Sequence, residues 1–108
     1  MAYVDGFVAA VPTANREIYL DYARKFDALF IAQGDDVPEG KDTSFSMAVK
    51  RQPDESILFS WITWPSKETR NAAWEKLMQL PEMQPGASPM PFDGKRMIYG
   101  GFEVILEI

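Results

Sequence analysis

The chain has neither cysteine nor histidine among its 108 residues. Without cysteine there is no disulfide framework, thiolate nucleophile or sulfur-ligated metal. Without histidine the usual general base near neutral pH and the commonest metal ligand are missing. Acid–base chemistry would fall to carboxylates, lysine, tyrosine or a bound cofactor, although no cofactor and no metal are expected. Positive charge is also in deficit. Sixteen acidic against 11 basic residues leave a net charge of −5, which opposes a phosphate backbone, so no nucleic acid partner is expected. No apolar run approaches the roughly 20 residues of a membrane span. The opening Met1-Ala2-Tyr3-Val4-Asp5 lacks the basic and apolar regions of a signal peptide. A cytoplasmic protein without a membrane partner is predicted.

What is present is ordinary globular material, 46% hydrophobic and 25% charged. One domain over residues 1–108 would bury roughly 65% of its unfolded surface. Tyr3 to Val11 is apolar on both alternating faces, the pattern of a central strand covered on both sides. After Pro12, with Thr13 as N-cap, Ile18, Tyr22, Phe26, Leu29 and Phe30 predict a helix from Ala14 to Gln33 that carries an Asp21–Lys25 pair and ends at Gly34. Ser44 to Lys50 alternates cleanly and predicts an edge strand, followed by a hairpin at Gln52-Pro53-Asp54-Glu55. Ser56 to Trp64 is a second strand apolar on both faces. Ser66 is placed to cap a second helix with a stripe of Ala73, Trp74, Leu77, Met78 and Leu80, closed by Pro81. The proline-rich stretch to Pro91, with Met83, Met90 and Phe92, is expected to pack over something. After the Asp93-Gly94 turn comes a last strand running to Ile108, with a bulge or a close approach at Gly100-Gly101.

The order βαββαβ predicts an α+β fold of ferredoxin-like type, an antiparallel sheet with both helices on one face. Two-sided strands then leave the other face in need of cover. A second copy packed sheet against sheet is the simplest solution, against cover by the proline-rich loop alone.

Tyr3-Val4-Asp5-Gly6-Phe7-Val8, Gly34-Asp35-Asp36-Val37-Pro38-Glu39-Gly40-Lys41, Phe59-Ser60-Trp61 and the segment Met90 to Phe102 resemble the YbaA-like family. These are small uncharacterised bacterial proteins grouped with the dimeric α/β-barrel superfamily. The resemblance spans nearly the whole chain and implies the same fold and homodimer, with no established activity. In one respect the sequence departs from the family. Relatives carry a strand-length segment between the first helix and the Gly-Asp-Asp-Val-Pro motif, whereas here Gln33 runs straight into Gly34.

Three places could carry chemistry. Trp64, Asp93, Lys95, Arg96 and Tyr99 are expected at the end of the sheet where the first strand finishes. There Arg96 could hold a carboxylate or phosphate, with Tyr99 as donor and Trp64 as wall. The competing reading has Asp93 and Arg96 fixing the turn while the aromatics pack. Asp5, Asp35, Asp36 and Glu107 are expected at the opposite end, but they lack Asp-x-Asp ligand spacing and suit a solvated rim better than a cation. The space between sheet and helices is expected to be lined by Phe7, Tyr22, Phe26, Phe59, Trp61 and Trp74, as packed core or as a pocket. Two functions follow: a dimeric module that binds a small organic ligand, or a small cofactor-independent enzyme, monooxygenase- or isomerase-like.

Overall fold

A computed structural model describes residues 2–24, 26, 29–81 and 91–108. Strands β1 (Tyr3–Pro12), β2 (Leu29–Gln33), β3 (Glu55–Trp64) and β4 (Ile98–Glu103) form one antiparallel sheet in the order β2-β3-β1-β4. Helices α1 (Arg16–Ala23), α2 (Phe45–Ala48) and α3 (Lys67–Met78) complete this α+β chain. The two strands apolar on both faces, β1 and β3, are the central pair, as their composition requires.

Two elements differ from expectation. The predicted Ala14–Gln33 helix stops at Ala23, and Leu29–Gln33 pairs with β3 from Leu29↔Ile62 to Gln33↔Leu58. Leu29, Phe30 and Ile31 fit a helical stripe and a strand equally well, and the open edge of β3 decides between them. Gly34 is therefore no helix cap, and its N–H extends the ladder to Ile57 O at 2.8 Å. A strand does lead into Gly34, but it is formed by residues that the periodicity places in the helix. Thr13 opens a 3-10 turn and bonds Ser56 Oγ at 2.8 Å instead of capping α1, and Lys25 lies outside the described residues.

With that edge occupied, Ser44–Lys50 is not a strand. Ser44 Oγ accepts the Met47 N–H at 3.0 Å, one turn of helix forms, and Lys50 ends it in the left-handed region at φ 50°. Ser66, by contrast, caps α3 as expected, accepting the Thr69 N–H at 3.1 Å, with Glu68 in the first turn and Lys76 in the last.

The glycine pair makes no bulge, because β4 pairs with β1 without interruption from Val8↔Ile98 to Tyr3↔Glu103. Space explains Gly101. A Cβ on Gly101 would collide with the Tyr3 ring, whereas at Gly6 and Gly100 it would only make ordinary contact with the Phe102 ring, at 3.7 and 3.5 Å. The strand ends at Glu103, short of the expected Ile108. Met83 and Met90 lie outside the described residues. Beyond them Pro91 O accepts Asn15 Nδ2 at 2.9 Å, and Phe92 packs edge-on to Tyr19 at 5.2 Å.

Side chains of the two sheet faces form separate clusters. On one face Ala9, Val11 and Leu58 pack with Tyr19 of α1 and with Phe92. On the other Val8, Ala10 and Ile57 pack with Val49, which follows α2. That second cluster covers only the Pro12 end. Phe30, Phe45, Phe59, Ile98 and Phe102 remain between 42% and 62% exposed. Phe59 and Trp61 belong to this open face, Trp61 stacked on Phe30 at 5.3 Å, so they do not line the space under the helices.

Candidate functional site

Asp5 is the one carboxylate among the apolar residues of β1, and it is 2% exposed. A buried carboxylate needs donors, and α3 supplies them. Arg70 and Trp74 are four residues apart, one turn of helix, and so share a face. Arg70 Nη2 donates to Asp5 Oδ1 at 2.8 Å, and Nε lies 3.1 Å from both oxygens. The indole N–H groups of Trp74 and Trp64 reach Oδ2 at 2.7 and 2.9 Å. Burial raises the Asp5 carboxyl, but hydrogen bonds from Arg70, Trp74 and Trp64 and the charge of Arg70 outweigh it and hold the group below its ordinary value. The same hydrogen bond raises Arg70, whose guanidinium also lies 5.3 Å over the Tyr3 ring. This knot ties β1, β3 and α3 together.

Next to it, between sheet and helices, is a cavity of about 820 Å³. Arg70, Trp74 and Met78, one helical turn apart along α3, face this space, which accords with α3 having no fully buried residue. An aromatic series runs along the wall. Tyr99 stacks on Phe7 at 6.4 Å, Phe7 meets Trp74 edge-on at 6.3 Å, and Trp74 tilts against Phe26 at 5.8 Å. Burial raises the phenols of Tyr22 and Tyr19, the latter partly offset by the nearby Ser60 hydroxyl. The two side chains nevertheless fall short of hydrogen-bond geometry, and the buried Ser60 Oγ has no partner among the described residues.

The residues predicted from sequence divide between two ends of the sheet. Trp64 pairs with Tyr3, at the start of β1, and belongs to the Asp5 knot. Arg96 lies near the other end, where Glu55 pairs with Pro12. Its Nη1 and Nη2 grip Glu55 at 2.8 and 2.6 Å, Nη1 also reaches Lys50 O at 2.7 Å, and Nε meets Asp93 at 3.2 Å. Asp93 also accepts the Lys95 N–H at 3.0 Å, closing the 3-10 turn Gly94–Arg96. Hydrogen bonds from Arg96 lower Glu55 against the opposing effect of burial, and Glu55 raises Arg96 in return. Asp93, Lys95 and Tyr99 do converge, on the cavity wall, with Tyr99 72% exposed. Asp35 does not join Asp5: with β2 a strand, it follows Gly34 at the Ile57 end of β3. Among the described residues no group of three or more carboxylates could hold a metal ion.

Sequence reasoning missed Arg70, Ser60 and Glu55. A solitary Asp in an apolar strand, with an Arg–Trp pair at helical spacing elsewhere, was the available signal for the first. Nothing local marked the other two.

Fold and site define a small α+β protein with an aromatic-walled cavity beneath its helices. The chain belongs to the family described as "Protein of unknown function (DUF1428)", whose model matches residues 2–94. It is 51% identical over 116 aligned positions to the uncharacterized protein YbaA of Escherichia coli K12, covering 99% of each chain, and equally to that of Shigella flexneri. The YbaA-like resemblance read from the motifs is thus shown. The alignment exceeds the 108 residues of this chain, so these relatives carry extra positions that it lacks. Among the described residues no helix is long and apolar enough to cross a membrane.

Proposed function

We propose that the chain is a homodimeric binding protein for a small organic molecule, of ferredoxin-like, dimeric α/β-barrel type. The observation that carries the binding reading is the 820 Å³ cavity, whose volume and mostly apolar lining suit a drug-sized ligand. Binding is favoured over a monooxygenase- or isomerase-like reaction, because both carboxylates on its wall are already engaged: Asp5 by Arg70 and two indoles, Asp93 by Arg96 and the Lys95 N–H. Neither is free to take a proton from a substrate.

The strand order β2-β3-β1-β4 with α1 and α3 on one face supports the ferredoxin-like assignment. The open face supports the dimer. With aromatic side chains presenting about 150–250 Å² each, Phe30, Phe45, Phe59, Ile98 and Phe102 at their observed exposures offer roughly 500 Å² of apolar surface. A standard interface of about 800 Å² per partner is roughly 60% apolar, so a two-fold pair matches the patch.

Native mass spectrometry of freshly purified protein reads both proposals, with a dimer carrying a retained organic ligand as the expected result. A titration with an environment-sensitive naphthalene sulfonate dye separates the two surfaces. Ala23→Phe, on the cavity wall, is expected to abolish dye enhancement, whereas Phe102→Glu on the open face leaves it intact and halves the mass in sedimentation. Wild-type protein that sediments as a monomer at roughly 100 µM sinks the dimer. Dye signal indifferent to Ala23→Phe sinks the cavity as a binding site.

A further inference from the structure

Resting on the cavity reading, we infer that the ligand is an aromatic acid: a flat ring system with one carboxylate and, on its far side, an oxygen that hydrogen-bonds to Ser60. The walls set the flat shape. Phe7, Trp74 and Tyr99 present ring faces and edges along the cavity, which favours a planar unsaturated body that can stack or meet them edge-on.

The polar groups set the rest by subtraction. Asp5 and Arg70 neutralise each other, and Asp93 is turned toward Arg96. Lys95 is the wall cation whose side chain has no ion-pair or hydrogen-bond partner among the described residues. The wall therefore presents one uncompensated positive charge, at the exposed Lys95, which an anion complements and a cation does not.

At the other side stands Ser60, 2% exposed and with its hydroxyl unpartnered. A buried unsatisfied hydroxyl costs free energy that a ligand oxygen can recover. Phe7 pairs with Ser60 on one side and Tyr99 on the other, so these two flank it across the sheet. Three adjacent strands place them roughly 10 Å apart, the span of a bicyclic ring. Lys95 precedes β4 on the Tyr99 side. Carboxylate at Lys95 and a hydrogen-bonding oxygen at Ser60 thus lie to opposite sides of Phe7.

Calorimetric titration of the intact protein with a matched set tests this: naphthoate, the neutral naphthamide, the cationic naphthylmethylammonium, and a hydroxynaphthoate with its hydroxyl opposite the carboxylate. Naphthoate is expected to bind roughly three- to fivefold tighter than naphthamide at low salt, the size of a partly exposed ion pair. That advantage should shrink at roughly 0.5 M salt, with the ammonium weakest. Lys95→Gln, at an exposed position, should erase the advantage and leave naphthamide unchanged. The hydroxyl should add affinity in the wild type and none in Ser60→Ala. Naphthamide binding as tightly as naphthoate overturns the acid while the cavity stands. A hydroxyl effect that survives Ser60→Ala overturns the orientation. If none of the four binds, the cavity reading falls as well.

Discussion

Replacing Asp5 with alanine is expected to remove about 4 kcal/mol of stability, the cost of taking one partner from a buried, hydrogen-bonded ion pair. For a domain of this size that is a large share of the roughly 5–15 kcal/mol normally available. Three donors lose their acceptor together: Arg70 and the indole N–H groups of Trp64 and Trp74. Arg70, with a quarter of its side chain exposed, can turn toward water. The indoles are less free to do so, and Trp74 is also the ring that holds Phe7 and Phe26. Loss should therefore spread from the knot to the cavity wall. Thermal melts are expected to show a midpoint lowered by at least about 15 °C, with the near-ultraviolet tryptophan signal weakened before the transition. A shift below about 4 °C would mean that the carboxylate contributes little net stability, as some buried pairs do.

That knot was the least legible part of the chain, although its parts were in plain view. The contact between Asp5 and Arg70 spans 65 residues, and no local pattern encodes such a pairing. The central strands were readable because burial on two faces leaves a continuous apolar run, as in Ser56–Trp64. Helix α3 was readable because Ser66, Glu68 and Lys76 act locally on its ends. Residues 29–33 and 44–50 were misread for one reason. Each is short and fits two periods, and only the single open edge of β3 determines which of them becomes a strand. Once Leu29–Gln33 takes it, Ser44–Lys50 must turn and cover part of the second face through Val49. The close approach expected at the glycine pair falls at Gly101, under the ring of Tyr3, which can only be placed once β1 and β4 are paired. The remaining exposed aromatics of the second face are the legible trace of the proposed partner.

Acid should expose the same logic at both ends of the sheet. Asp5 and Glu55 are buried carboxylates gripped by arginines, and each is held below its ordinary value, 3.8 for Asp and 4.5 for Glu. A carboxyl depressed in the folded state stabilises the protein above its unfolded value, and that contribution is lost as pH falls through the folded one. Unfolded chains take up these protons first, so stability should decline below about pH 4.5 as Glu55 begins to titrate in the unfolded chain and more steeply below about 3.8. Each such group contributes a limiting slope of about 1.4 kcal/mol per pH unit, so the pair gives just under 3. Urea midpoints measured from pH 7 to 3 should stay nearly level at first and then fall. In Glu55→Gln the Arg96 fork loses its charged acceptor, and the variant should start lower at pH 7 but lose the earlier part of the decline. Arg70→Met removes both the strongest hydrogen bond and the charge that hold Asp5 down, so the later part should flatten instead. Identical slopes in all three proteins would show that acid lability comes from the surface carboxylates and not from the two gripped ones.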